Sequence, residues 1–177
     1  MSQIFLVIGC AAFCILLADG MSDFIVKPLV ARERPCNDPI FKSCITLANN
    51  FRATGYSFFS SHAANTFSIA VFFIMLIRSR LLSIILISWS LLNCYTRLYL
   101  GVHYPSDIFV GLIWGGFVGF LASKLYSWAY KKIAPNITYV SKQYTISGYD
   151  KKDIDVVILV IVIILLYAIF RSVIIYI

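Results

Sequence analysis

The chain contains two histidines, His62 and His103, and each stands near cationic or small polar residues suited to holding an anion. His103 lies in the run Leu100-Gly101-Val102-His103-Tyr104-Pro105-Ser106-Asp107, with Arg97 shortly before it. His62 closes the run Phe59-Ser60-Ser61-His62, and farther upstream Lys27 is followed by Arg34-Pro35. An arginine can grip a phosphate with two parallel N–H donors, and a lysine adds a compact point charge. A serine at a helix start can cap the helix and leave backbone N–H groups facing outward, so the start at Ser60 and Ser61 is a ready anion site on the same side as Lys27, Arg34 and Arg97. A single histidine is more often a packing residue. Two of them sharing one membrane side with three cations and Asp107 favour catalysis instead. A zinc site of His62, His103 and Asp107 is disfavoured, because the same cations oppose a divalent metal.

The elements that position these residues follow from composition. Of 177 residues 60% are hydrophobic and 13% charged, far more apolar than a soluble domain. The apolar residues gather into five runs, 4–27, 58–77, 81–100, 108–130 and 154–177, each near the roughly 20 residues needed to cross a bilayer. Lipid offers backbone groups no water, and no period-two alternation suits a barrel, so all five runs are expected as helices. The expectation is an all-α integral membrane bundle of about five transmembrane helices, a single domain over 1–177. Its motif-bearing core is 20–130, and 154–177 forms an additional C-terminal helix. The first run has no Lys or Arg before it and carries Asp19 and Asp23 after it, which argues for a membrane helix over a cleaved signal. The net charge of +7 sits at the ends of apolar runs, a pattern that points to the lipid bilayer as partner and away from nucleic acid.

Alternating connections place Lys27, Arg32, Arg34, Lys42, Arg52, Arg97 and Arg171 on one side, and the other eight basic residues on the second. With Lys27, Arg34 and Arg97 reserved for a site, four free cations face eight, and the second side is expected in the cytoplasm. Gly111, Gly115, Gly119 and Ser123 recur at every fourth position, a small-residue stripe that admits another helix closely and turns Asp107 inward. Asp19, Asp23 and Lys27, also four apart, suggest structural pairing for the aspartates. Cys10, Cys14 and Cys94 read as packing residues. Cys36 and Cys44 share a polar loop and could form a disulfide or stay as thiols.

Three of these motifs together resemble the type-two phosphatidic acid phosphatase superfamily: Lys27 with Arg34-Pro35, Ser60-Ser61-His62, and Arg97 with His103 and Asp107. In the second motif Ser61 replaces the usual glycine. The resemblance implies a lipid phosphatase in which His103 attacks phosphorus, Asp107 orients its ring, and His62 serves as general acid and then base. Lys27, Arg34, Ser60, Ser61 and Arg97 would bind phosphate, with no metal or cofactor. By family analogy undecaprenyl diphosphate is the favoured substrate, with phosphatidylglycerophosphate, phosphatidic acid and lipid A phosphates as alternatives. The expected location is the bacterial inner membrane with the site facing the periplasm. A reading of another class is a non-catalytic phospholipid-binding or transport protein, which would need the cations but neither histidine.

Overall fold

The computed structural model describes residues 2–41, 52–133, 145 and 148–175. All elements longer than a turn are helical: α1 Ser2–Asp19, a stretch of wider π-type turns Gly20–Val26, α2 Lys27–Val30, α3 Ser61–Ile77, α4 Arg80–Tyr99, α5 Pro105–Ile133 and α6 Lys151–Ile175. The first apolar run is thus one continuous helical rod, ending where Ala31 takes a left-handed conformation at φ 49°. Among the described residues, Gln3–Val30, Arg80–Tyr99 and Pro105–Ile133 are long and apolar enough to cross a membrane.

The second run differs from its expected bounds. Helix α3 starts at Ser61 rather than 58 and has 17 residues. Ser60 is extended and its side chain accepts a 3.3 Å bond from the Ala63 amide, so the capping serine sets the start. Helix α6 begins three residues earlier than expected, at Lys151, where the Asp150 carboxylate accepts from the Lys152 amide at 2.9 Å.

The core lies between α1, α3 and α5, with Cys10, Cys14, Phe72, Val118, Ala122 and Tyr126 at its centre. The glycine stripe has α3 as its partner. A methyl carbon on Gly115 would stand 2.4 Å from the Ala64 carbonyl oxygen, and one on Gly119 would stand 2.5 Å from that of Ser68. No larger side chain fits without parting the helices. Lipid gives apolar side chains little reason to cluster, so close backbone approach carries this contact. On the opposite face of α5, Phe109, Ile113 and Phe117 point outward, as suits a hydrocarbon surround.

Aromatic residues mark both ends of the bundle, where the ring tolerates a wet edge and a greasy body. Tyr95 and Tyr99 stack at one end, and Trp128 lies under Lys132 at the other. Cys36 is buried and its amide donates to the Gly101 carbonyl at 3.0 Å. Cys44 and Lys42 lie outside the described residues, and with them the Cys36 to Cys44 pairing.

Candidate active site

The site is assembled at the end of the bundle where α2 finishes, α3 begins, α4 ends and α5 starts. Backbone bonds stitch the connecting loops together. The Ser57 amide donates to Arg32 O at 2.8 Å, the Ser60 amide to Asp107 O at 3.1 Å, and Ser22 Oγ to Phe59 O at 2.9 Å. Ser22, Ser57 and Ser60 are all fully buried. The second of these bonds joins the Ser60-Ser61-His62 motif directly to Asp107 of the third, and the other two hold the segments beside them.

Lys27 projects from the end of the first rod, paired one turn back with Asp23 and donating to Ser61 Oγ at 3.1 Å. Asp19 accepts from Asn65 at 2.6 Å. Both aspartates thus have structural partners, Asp23 through the four-residue spacing and Asp19 through a residue of α3. The hydroxyl that Ser61 gains over glycine is spent on Lys27. Because Ser60 caps Ala63, the Ser61 and His62 amides have no intrahelical acceptor and remain available to an anion.

Arg34 is braced on main-chain carbonyls. Its Nε donates to Thr54 O and Gly55 O at 3.0 and 3.1 Å, and its Nη1 to Val102 O at 3.2 Å. Three acceptors fix the plane of the guanidinium, which favours a ligand that matches a planar fork. Arg97 is partly buried in the last turn of α4, with Nε on Thr96 Oγ1 at 3.3 Å. Asn93, one turn earlier, donates to Trp89 O within its own helix.

The two imidazoles share this end. His62 is exposed on the first turn of α3, within electrostatic reach of Arg97, His103, Lys27 and Asp19. His103 is 4% exposed. Its Nδ1 faces Asp107 Oδ2 at 3.6 Å and makes no hydrogen bond among the described residues. That separation is longer than a hydrogen bond, as catalytic pairs often are before substrate arrives. With Nδ1 turned to the carboxylate, Nε2 is the nitrogen left for chemistry. Burial holds the His103 imidazole below its ordinary range; Asp107 opposes the shift, while Arg34 and Lys27 add to it. A shift in that direction favours the uncharged ring.

Asp107 is fully buried, as the inward-turned stripe requires. Its Oδ2 accepts from the Tyr104 amide at 2.9 Å and its Oδ1 from Arg32 Nη1 at 2.8 Å. Arg32 stands among the free surface cations in the sequence reading, and the structure corrects this. The guanidinium also donates to Ser106 Oγ at 2.9 Å and lies 3.8 Å over the Tyr104 ring. The Tyr104 hydroxyl in turn donates to Asp38 at 2.8 Å. Burial together with Asp38 pushes that phenol up to about 12. Only the closeness of Arg32 to Arg34 in sequence hints at this role. Arg32 thus leaves the group of basic residues that the sequence reading counted as free.

Among the described residues no group of three or more His, Cys, Asp and Glu is arranged to hold a metal ion. A buried imidazole with a carboxylate at its Nδ1, cations within electrostatic reach and a helix start at the same end of the bundle is an arrangement suited to phosphoryl transfer. The comparisons with known proteins agree with that class. The chain belongs to the PAP2 superfamily, whose family model matches residues 7–131. It is similar to a lipid A 4'-phosphatase of Bacteroides thetaiotaomicron, 47% identical over 112 residues that make up 62% of this chain and 49% of that protein. It is also similar to a lipid A 4'-phosphatase of Porphyromonas gingivalis, 32% identical over 123 residues, 70% of this chain and 52% of that protein. The chain spans about half the length of these curated relatives. No solved structure matches it.

Proposed function

We propose that the protein is a membrane lipid phosphatase that removes a phosphate monoester from a lipid A type glycolipid. The observation that carries this reading is His103, buried with Asp107 facing Nδ1 at 3.6 Å and with the cations Lys27 and Arg34 within electrostatic reach. In the first step Nε2 of His103 forms a bond to phosphorus as the phosphorus–oxygen ester bond breaks. The leaving oxygen takes a proton from His62, and the ester becomes a lipid alcohol. In the second step water attacks phosphorus, its proton passes to His62, and the nitrogen–phosphorus bond breaks to release inorganic phosphate. Lys27, Arg34, Arg97 and the Ser61 and His62 amides offset the charge on the peripheral oxygens throughout. Asp107 stabilises the ring when it carries positive charge. Ser60 acts by capping α3, so that the amides stay directed outward.

The names of both relatives favour lipid A over undecaprenyl diphosphate, the substrate that family analogy alone put first. Apart from Lys27, Arg34 and Arg97, the alternation read from the sequence puts more basic residues at the far end than at the site end, which supports a site opening on the non-cytoplasmic face of a bacterial inner membrane. There a lipid presents its phosphate at headgroup depth without leaving the bilayer. On this reading the chain works as one domain, with 20–130 carrying the reaction.

The test is phosphate release by the purified full chain from micelles of lipid A, undecaprenyl diphosphate, phosphatidylglycerophosphate and phosphatidic acid. Fastest release from lipid A is expected. Faster release from undecaprenyl diphosphate would reassign the substrate. Binding of these lipids with no release from any of them would leave a non-catalytic lipid-binding protein.

A further inference from the structure

We propose that Arg32 is a positioning residue for His103, acting through Asp107, and is not one of the cations that grip phosphate. The inference rests on the phosphatase reading above and adds to it a residue outside the set expected from the sequence motifs.

The geometry separates Arg32 from the other site cations. Lys27 bonds to Asp23 and Ser61, Arg34 to main-chain carbonyls, and Arg97 to Thr96. Among the described residues, Arg32 alone of these four cations bonds to the Asp107 carboxylate, and it meets the oxygen that does not face the imidazole. Oδ1 is taken by Arg32 and Oδ2 by the Tyr104 amide. A carboxylate held at both oxygens cannot turn, so the remaining acceptor direction of Oδ2 stays aimed at His103 Nδ1, 3.6 Å away. Arg32 is fixed in its own right, by Ser106 Oγ on one side and the Tyr104 ring beneath, with Tyr104 anchored to Asp38. Its carbonyl also accepts from the Ser57 amide. The orientation of the nucleophile thus traces back through Asp107, Arg32 and Tyr104 to Asp38 in the loop.

Arg32 also sets the charge that His103 feels. A fully buried carboxylate without a partner is an uncompensated charge. Removing the guanidinium lets Asp107 favour the imidazolium more strongly, so His103 takes up a proton at higher pH. The other charged or titratable groups around the ring stay in place: Arg34 from the loop, Lys27 from the first rod and His62 from α3, with Arg97 of α4 beside His62.

Arg32→Gln and Arg32→Lys would be purified as full chains in micelles. Hydrolysis of lipid A would be followed as kcat and KM across pH, and the His103 ring would be titrated by nitrogen NMR. Arg32→Gln is expected to lower kcat on the order of 10–100-fold, the usual cost of losing a partner that orients a reactive group. KM should change little, and both the acid limb of the rate profile and the His103 midpoint should move to higher pH. Arg32→Lys should restore the acid limb but only part of kcat, because an ammonium cannot hold Asp107 and Ser106 from one planar fork. A raised KM with kcat intact would make Arg32 a phosphate ligand and overturn the proposal. An unmoved His103 midpoint in Arg32→Gln would overturn it as well. If the wild type releases no phosphate from lipid A, the functional reading falls, while the NMR titration still decides whether Arg32 acts on His103.

Discussion

Along α5, Gly111, Gly115 and Gly119 bring the backbone against α3 so closely that an added methyl carbon would strike main-chain oxygens. Along α6 the opposite holds. Val157, Ile161, Ile164 and Leu165 face α3 and α4 across an apolar cavity of about 450 Å³. Both regions are apolar helices in one bundle, yet only the first is locked. The difference shows what fixes geometry in lipid: small residues that allow backbone contact, and polar bonds at the helix ends, rather than hydrophobic surface as such. The site is built where both devices occur together.

Removing His103, the nucleophile of the proposed mechanism, from the loop that leads into the locked helix should have the largest effect. His103→Ala is expected to lower phosphate release on the order of 10⁴-fold or more while the protein remains folded, checked by release assays alongside thermal unfolding in detergent. Near-normal turnover would end the mechanism. Tightening the seam comes next. Gly115→Ala is expected to cost about 3 kcal/mol, toward the upper end for overpacking, because its new carbon meets a backbone oxygen that has no rotamer to yield. A lowered midpoint in thermal unfolding checks this, and an unchanged one would mean that the helices stand farther apart. The smallest effect is expected at the loose edge. Ile161→Ala enlarges a space already open beside α6, so turnover should stay within about twofold and stability should fall by less than the roughly 2–5 kcal/mol of a close-packed core truncation. A loss as large as that of Gly115→Ala would erase the contrast between the two regions.

The residues of the site were legible because their chemistry is unusual in an apolar chain. Two histidines and a few cations, each at the end of a run, stand out against isoleucine and phenylalanine, and the alternation of helices puts them at one end. The cap at Ser60 and the inward turn of Asp107 were legible from residue type and spacing. Arg32 was not, since its partner lies 75 residues away and the contact depends on how two loops fold over each other. The glycine stripe announced a close neighbour without saying which, because a stripe carries no record of its partner. The π-type turns at Gly20–Val26 left no periodic signature in an almost uniformly apolar run. The late start of α3 reflects a competition between Phe58 and Phe59, apolar enough to extend the run, and a serine whose side chain closes the helix behind them.

Asp107 serves two clients with different parts of itself. Its side chain faces the His103 imidazole, while its main-chain oxygen receives the Ser60 amide just ahead of α3. Any sliding of α5 against α3 would therefore disturb both contacts together. On the proposed mechanism, one residue thus couples the orientation of the attacking ring to the start of the helix that receives the phosphate.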